Sequence, residues 1–485
     1  MNETQDWTIE AILLHSNDIH SRLEHAAKIA TVIAEERRTH GSDRVLAVDI
    51  GDHMDRMRFE TEGSSGLVNI ELLHIAGCEA ATLGNNEGLT LESSMLEAVY
   101  RDRAKFPVLV ANMFRASDHE RPEWLSPSTI IRKGKLRIGI IGVTARYSDF
   151  YTLLGWDVTD PIEAVRAETA ELRSHVDVLV VLSHLGLPFD RLIAEQLEGI
   201  DLILGGHTHH LLEEPLVIGS TTICAAGKFG EWIGRIEIGW DSAASKPLFR
   251  AACMPVAAYA EHPDAVEAIA KYRKQASEQL GRVIVRLETP LMSSDDRESQ
   301  LPNLLAAGIR RWTKADIGIT NNGQLLAGLP SGEVTAGDLH AICPSPINPC
   351  RMKLLGKHIR EALQQSLCDE YITKPIRGFG FRGNVLGTLA VDGMTIEAEY
   401  DSAGQLQLSA VYVDGAPLVD DREYSVGTLD MFTFGAGYLS LKQGTDIQYF
   451  LPEFIRDLLA EQLLDPAAIA AASEARFVIR GRAAT

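Results

Sequence analysis

Short apolar runs alternate with amphipathic helical stretches through the first half of the chain, and this alternation restricts the fold more than any other feature. Two of the helical stretches are LEHAAKIATVIAEERR (23–38) and PIEAVRAETAELRSHV (161–176). Strand–helix alternation predicts an α/β domain with largely parallel sheets covered by helices. The closing segment TTICAAGKFGEWIGRIEIGW (221–240) has the pattern of antiparallel strands. The runs read as strands are AILLHS (11–16), RVLAVDI (44–50), EAATLG (79–84), FPVLVA (106–111), LRIGIIGV (136–143), DVLVVLSH (177–184) and DLILGG (201–206).

The chain length predicts more than one domain. A chain of 485 residues exceeds what a single hydrophobic core usually supports. The stretch HPDAVEAIAKYRKQASEQLG predicts a polar helix without a continuous apolar face. Such a helix is typical of a connector between domains. The residues after it mix helices, strands and Gly-rich turns, which predicts an α+β domain. We therefore expect domains at 8–258 and 282–482, joined by a linker helix at 259–281.

Charge and composition limit the partners and the compartment. Acidic residues outnumber basic ones by 67 to 46, and the net charge of -21 repels polyanions, so we expect no nucleic-acid partner. No apolar run approaches the roughly 18 residues of a membrane span, so we expect no membrane segment. The N-terminal stretch MNETQDWTIE lacks the pattern of a signal peptide. Six scattered cysteines without C-x-x-C spacing favour reduced thiols, and together these features predict a cytoplasmic protein.

Residues of metal-ligand type follow five of the predicted strands. Ligand sites in α/β sheets gather at the carboxyl ends of strands. A single histidine after a strand is more often a structural hydrogen-bond partner, but five strands that each end in such a residue indicate a metal centre. The residues are Asp18, His20, Asp52, Asn85, His184, His207 and His209.

These residue types suit a pair of divalent ions. Imidazole and carboxylate bind Mn, Zn or Fe, and a carboxamide oxygen suits a hard cation. Two ions about 3.5–4 Å apart can hold both the attacking and the leaving oxygen of a phosphoryl transfer. Such a pair needs a shared carboxylate, for which Asp52 is the candidate, and a hydroxide that bridges the ions would be the nucleophile. The identity of the two metals stays open, and Mg and Co are also compatible.

The ordered motifs NDIH, GDH, GNNE, LSH and GGHTH resemble those of the calcineurin-like metallophosphoesterases. Over roughly residues 9–480 the chain is similar to the bifunctional 5′-nucleotidases, also called UDP-sugar hydrolases or 2′,3′-cyclic phosphodiesterases; the second half contributes TNNGQLLAGLPSGEVTAGDLHAICPSPINP. The resemblance implies a four-layer α/β/β/α domain joined to an α+β domain that binds the nucleoside. It also implies a first metal site of Asp18, His20, Asp52 and His209, and a second of Asp52, Asn85, His184 and His207.

The chain departs from this family where a proton donor is expected. The family usually reads G-N-H-E-F-D, and its His, oriented by the Asp, stabilises the transition state or protonates the leaving group. Here these positions are Asn86 and Leu89, and an amide donates a hydrogen bond but does not transfer a proton near pH 7. His53 is either a substitute for the missing group or an exposed loop histidine. Arg22 either contacts a phosphate or is only an exposed residue at a helix start.

The predicted second domain departs as well. Where the family often has N-x-G-G-I-R, the segment NNGQLL lacks the arginine, and LDMFTFGAGY is shorter than the family's N-D-F…G-G-D-G-Y segment. Aromatic rings remain that could stack on a base, with core packing as the alternative for each. The segment GFGFRG precedes a predicted strand, so we interpret it as a flexible loop and not as a dinucleotide motif. The candidate substrate-binding residues are Asn322, Gly323, Phe379, Phe381, Arg382, Phe432 and Phe434.

The sequence leaves three functions open. The leading prediction is an enzyme, a dimetal phosphohydrolase that cleaves a phosphate ester or anhydride of a nucleotide or related small molecule. A metal- and nucleotide-binding protein with weak or no turnover is the alternative, favoured by the changes at Asn86 and Leu89. Hydrolysis of a non-nucleotide such as a sulfur ester is the third. The sequence does not predict the oligomeric state.

Overall fold

The computed structural model describes residues 8–241 and 246–481, and within them the chain divides into two compact units after Ala276. Helix Pro263–Leu280, which contains the division point, lies inside the predicted linker segment. All six cysteines are free thiols. Among the described residues, no helix combines the length and the apolarity that a membrane crossing requires.

Two β-sheets form the centre of the first unit. Their inner strands are parallel, and antiparallel strands lie toward the edges. The first sheet has seven strands, in the spatial order Lys246–Pro255, Trp232–Asp241, Ile9–Ser16, Val45–Asp49, Ala80–Ala81, Val108–Leu109 and Leu125–Ser126. The second has six strands, in the order Leu216–Ile218, Thr221–Cys224, Leu202–Gly205, Val178–His184, Leu136–Thr144 and Ser128–Lys133.

The two sheets pack face to face and helices cover their outer faces. A shared core joins residues of both sheets, such as Leu13 and Leu46 with Ile140 and Val180. Separate cores lie between each sheet and its helices. The predicted four-layer α/β/β/α domain is thus confirmed. Its helices are Leu23–His40, Phe59–Ser64, Leu67–Ala76, Asn85–Thr90, Ser93–Arg103, Ser148–Tyr151, Pro161–Leu172, Leu187–Gln196 and Pro263–Leu280.

One expectation for this unit holds on one side of a strand only. The strand Thr221–Cys224 is antiparallel to Leu216–Ile218, as the sequence pattern predicted, but it pairs in parallel with Leu202–Gly205 on its other side. All four of its residues are buried, so the strand has a neighbour on both faces, as inner parallel strands do. Strand Trp232–Asp241 is antiparallel to Ile9–Ser16, as predicted.

The second unit is an α+β domain, as predicted. One large core packs its helices against the sheets. Its five-stranded sheet runs Leu389–Asp392, Ile317–Asn321, Glu423–Leu429, Pro349–Leu355 and Thr445–Tyr449. The smaller sheets are Ala416–Pro417, Leu406–Val413, Met394–Tyr400 and Phe477–Arg480, and the pair Val283–Leu287 and Gly332–Thr335. The helices are Gln300–Thr313, Ala336–Ile342, Gly356–Ser366, Asp369–Ile372, Asp430–Thr433, Ile455–Leu463 and Pro466–Ala471.

Candidate functional site

The predicted metal ligands come together at the carboxyl ends of neighbouring strands in the first unit. Three adjacent strands of the first sheet and two adjacent strands of the second sheet precede them. Left-handed backbone conformations of non-glycine residues are uncommon and cost roughly 1–2 kcal/mol each, and they cluster at functional sites. Five of the seven predicted ligands have such a conformation: Asp18, His20, Asp52, His207 and His209.

One group of ligand atoms converges on the space between two imidazoles. The Nε2 atoms of His20 and His209 lie 3.1 Å apart. The Asp18 Oδ1 atom is 3.4 Å from the His209 Nε2 atom and 3.9 Å from that of His20. Two nitrogens and a carboxylate oxygen so close together form a donor set of the kind that binds Zn, Mn or Fe. This arrangement corresponds to the first predicted metal site.

A second group surrounds His184. Its Nδ1 atom donates to the Ile50 carbonyl at 2.7 Å, which leaves the Nε2 atom without a proton when the ring is neutral. Among the described residues that buried Nε2 has no hydrogen-bond partner, and it lies 3.5 Å from Asp52 Oδ1. Nearby, Asn85 Oδ1 is 2.8 Å from His207 Nδ1. An orphaned buried nitrogen beside a carboxylate fits a cation ligand, so these residues fit the second predicted metal site.

Two carboxylates lie between the groups. The Asp52 oxygens face one histidine of each group, with Oδ2 3.8 Å from His20 Nε2 and Oδ1 turned to His184. Asp18 also belongs to both sets of converging ligand atoms. A bridging role for Asp52 remains a prediction, and the geometry makes Asp18 a second carboxylate within reach of both groups.

The buried carboxylates and histidines shift each other's pKa values. Although burial opposes ionisation, the neighbouring histidines hold the pKa values of Asp18 and Asp52 below their usual range. Burial likewise opposes charge on His184, but Asp52 and Asp18 raise the pKa of His184 to about 10. Burial and the charge of His184 lower the pKa of His207 to about 4. The two ionised carboxylates therefore favour binding of cations.

Glu87 holds the loop of Asp52 and the turn before Asn85 in place. Its carboxylate accepts hydrogen bonds from the backbone N–H groups of Asp52, Met54 and Gly84 at 2.8–2.9 Å. Burial and the Asp52 charge raise the pKa of Glu87 to about 7, while the three N–H donors favour its ionised form. A side chain at Gly84 would meet Asp52 Oδ1 at 2.1 Å, so the turn requires glycine.

Asn86 lies inside the metal centre, as the sequence predicts. Its backbone N–H donates to Asp52 Oδ1 at 2.7 Å, and its side-chain amide is 2.7 Å from His20 Nδ1. The amide therefore contacts the His20 nitrogen that points away from the converging ligand atoms. Asp55, whose Oδ2 lies 3.6 Å from the same nitrogen, is a further neighbour that the sequence reading missed.

His53 does not face the metal centre, so its proposed role as a substitute catalyst was wrong. The ring is buried in the helix-covered core, where it lines a small cavity with residues such as Ile29 and Leu72. Its Nδ1 is 3.2 Å from the Asn69 amide, and burial lowers the pKa of His53 to about 4. A neutral imidazole on that side of the sheet cannot deliver a proton to a substrate at the metal ligands.

Tyr147 is a residue of the site that the sequence reading missed. Its hydroxyl lies 3.1 Å from His207 Nε2, the nitrogen opposite the one that meets Asn85. Burial and the Asp52 charge raise the pKa of Tyr147, so the phenol is neutral. The sequence feature that could have identified Tyr147 is its position three residues after the strand Leu136–Thr144, which pairs with the strand of His184.

The second unit divides the predicted aromatic residues into two classes. Phe379 and Phe434 are 52% and 39% exposed, and their rings stack with centroids 6.3 Å apart. Phe381 and Phe432 are 4% and 0% exposed and belong to the main core, so their proposed contact with substrate was wrong. The first pair alone offers aromatic surface for a base.

The remaining predicted residues of this unit hold a loop together. The Asn322 amide donates to the carbonyls of Ser294 and Arg297, and Asn322 is fully buried, while its Oδ1 atom has no hydrogen-bond partner among the described residues. Gly323 packs so closely that a side chain would meet the Val385 carbonyl at 1.9 Å. The Arg382 backbone N–H donates to Ser345 Oγ at 3.1 Å.

Comparison with known proteins assigns the family. The sequence profile of the calcineurin-like phosphoesterases matches residues 12–211, and that of the 5′-nucleotidase C-terminal domain matches residues 279–441. The chain is 37% identical to YunD, an uncharacterized metallophosphoesterase of Bacillus subtilis (strain 168), over 93% of this chain and 98% of that protein. The chain belongs to the calcineurin-like metallophosphoesterases with a 5′-nucleotidase C-terminal domain.

More distant relatives of this metallophosphoesterase agree with the assignment. Mouse (Mus musculus) 5′-nucleotidase is 24% identical over 74% of this chain and 72% of its own length. The structure of NAD nucleotidase from Haemophilus influenzae covers 98% of this chain and 100% of its own, with a TM-score of 0.66 at 17% identity, and so has the same fold. Calcineurin-like phosphoesterases use two divalent metals, and the converging residues of this chain supply a candidate site for them.

Proposed function

We propose that this metallophosphoesterase hydrolyses small phosphate esters and anhydrides that have good leaving groups, nucleotides among them. The observation that carries the proposal is the Asn86 amide, 2.7 Å from His20, at the position where the family usually has a proton-transferring imidazole. Proton transfer by a positioned group typically contributes about 10²–10⁴ in rate. A phosphate or phenolate leaves as a stable anion and needs no proton, whereas an alkoxide does.

The residues of the metal centre have different roles. Two divalent ions, when bound, supply Lewis acidity toward a phosphoryl oxygen and lower the pKa of bound water. Asp18 and Asp52 provide the charge that attracts cations. The Ile50 carbonyl fixes the ring of His184 so that its Nε2 points at Asp52. Asn86 donates hydrogen bonds without moving a proton.

A nucleotide is the substrate class that the second unit supports. The match to the 5′-nucleotidase C-terminal domain is one argument, and the mouse relative is named for this activity. The exposed rings of Phe379 and Phe434 are the other, because aromatic faces bind planar bases by stacking.

The test is a leaving-group series with the Mn²⁺-loaded protein. Phosphate release would be measured from aryl phosphates of increasing phenol pKa, from ADP, and from AMP as an alkyl ester. We expect kcat/KM to fall steeply as the leaving-group pKa rises, and Asn86→His to restore hydrolysis of AMP by about tenfold or more. Equal rates for aryl and alkyl esters in the wild type would show that another group supplies the proton.

A further inference from the structure

We propose that Arg22, Lys228 and the ring of Phe229 form an anion-binding subsite beside the metal centre, and that this subsite holds a second phosphate of the substrate. The inference rests on the proposed phosphohydrolase function, because the reacting phosphoryl group is taken to lie at the metal ligands. It narrows the esters and anhydrides of that function to substrates that carry a second phosphate.

Two cations lie against one aromatic ring. The Arg22 Cζ atom is 4.8 Å and the Lys228 Nζ atom 4.6 Å from the centroid of the Phe229 ring. The attraction of each cation to a ring is worth only about 0.5–1 kcal/mol at an exposed site. Two like charges near the same ring repel each other, so an anion that binds both lowers the free energy of the pair.

Neither cation is neutralised by the protein. Within residues 8–241 and 246–481, the Arg22 guanidinium and the Lys228 ammonium have no ion pair and no hydrogen-bond acceptor. A basic side chain without an acidic partner is unusual in a protein with 67 acidic residues and 46 basic ones. The acidic neighbour Glu24 is already paired with Arg58 at 2.6 Å. Both charges are therefore available to a ligand.

The backbone fixes these cations relative to the metal ligands. Phe229 has a left-handed conformation, with φ of 61°, which costs roughly 1–2 kcal/mol for a non-glycine residue. Its N–H donates to the Asp18 carbonyl at 2.7 Å, and its carbonyl accepts from His25 Nδ1 at 2.6 Å. Its ring meets the His20 ring edge-on with centroids 5.8 Å apart. The subsite thus adjoins two of the predicted ligands.

The chemistry of the two cations indicates the ligand. Arginine presents a planar fork of donors that matches phosphate oxygens, and lysine adds a compact charge. A diphosphate could place its reacting phosphoryl group at the metal ligands and its other phosphate at the subsite. A phosphate monoester of a neutral alcohol has no second phosphate to occupy the subsite. The geometry therefore points to nucleoside diphosphates or related phosphoanhydrides.

The experiment compares the binding of two non-hydrolysable probes to the full-length Mn²⁺-loaded protein by calorimetry. Methylenediphosphonate carries a second anionic group and methylphosphonate does not. The variants are Arg22→Gln and Lys228→Gln. Lys135→Gln is the matched control. This exposed lysine precedes the start of strand Leu136–Thr144, whereas the metal ligands follow the carboxyl ends of the strands.

We expect each subsite variant to weaken methylenediphosphonate binding about tenfold and to leave methylphosphonate binding within about twofold. The control should change neither affinity beyond about twofold. Equal weakening of both probes, unchanged affinity for both, or failure of the wild type to prefer the diphosphonate would each overturn the inference. Discrimination between the probes without turnover of any phosphate ester or anhydride would reject the proposed hydrolase function and leave the subsite standing.

Discussion

At the residue scale, each of three imidazoles in the metal centre is held through the nitrogen that does not face the ligand cluster. His184 donates to the Ile50 carbonyl, His20 meets the Asn86 amide, and His207 meets the Tyr147 hydroxyl. Such contacts orient a ligand ring, and losing one typically costs about 10–100-fold in metal affinity. They give Asn86 a positioning role that does not depend on proton transfer.

Tyr147→Phe tests this view because it removes one hydroxyl and keeps the ring. We expect Mn²⁺ affinity to fall by about tenfold, since His207 loses the partner that orients it. The measurement is a calorimetric titration with Mn²⁺. Tyr438→Phe is the control: it removes a hydroxyl that donates to the Gly387 carbonyl in the second unit, so it should lower stability and leave metal affinity unchanged. Equal Mn²⁺ affinity in wild type and Tyr147→Phe would contradict the positioning role.

The metal ligands were predictable from the sequence, and their supports were not. Asp, His and Asn directly after apolar runs point to a shared sheet edge, because parallel strands end together. Tyr147 and Asp55 follow no such rule, since a tyrosine or aspartate in a loop acquires its role only from the ring that the fold places beside it. For His53, its position next to Asp52 could be read from the sequence, but the face of the sheet on which its ring lies could not.

At the element scale, the end of strand Glu423–Leu429 buries a carboxyl group. Asp430 begins the next helix, and one of its oxygens accepts from the Asn348 N–H at 3.1 Å, while the other has no hydrogen-bond partner in the described part of the chain. Burial raises the pKa of Asp430 from 3.8 to about 7. The folded state therefore binds a proton that the unfolded chain releases near pH 4.

Asp430→Asn should change how stability depends on pH. Because the folded-state pKa is raised, the stability supplied by the protonated acid is complete below about pH 4 and is lost as pH rises through about 7. An amide is neutral throughout this range. The difference in the free energy of unfolding between the variant and the wild type should therefore shift in favour of the variant, by up to about 4 kcal/mol, as the pH rises from 4 to 8. Denaturant titrations at several pH values provide the measurement, and a constant difference across them would refute the assignment.

Element types were easier to predict than their pairing. The apolar runs marked the strands, yet Thr221–Cys224 is parallel to one neighbour and antiparallel to the other, and a short buried run does not encode which strands it will join. The run 79–84 also forms a strand of only two residues, Ala80–Ala81. The turn after it is shaped by the hydrogen bonds of Glu87, which attach it to the Asp52 loop.

At the scale of the whole molecule, the family motifs predicted both domains and the metal centre, whereas the substrate contacts remain predictions. Core aromatics and exposed aromatics have the same sequence signature, so Phe381 and Phe432 could not be separated from Phe379 and Phe434 before their burial was known. The acidic surface, with a net charge of -21, makes local cations the main attraction for an anionic substrate. Metals at the ligand cluster and the pair Arg22 and Lys228 would supply that attraction.

The most direct test of the account is Mn²⁺-dependent phosphate release from ADP and from 4-nitrophenyl phosphate, measured for the wild type and for Asp52→Asn together with the bound metal. Asp52 faces histidines of both groups, so its loss should reduce turnover by about 10²-fold or more. The account predicts clear release by the wild type and little by the variant. A wild-type protein that binds two metal ions yet releases no more phosphate than Asp52→Asn would contradict it and would identify a binding protein instead of a hydrolase.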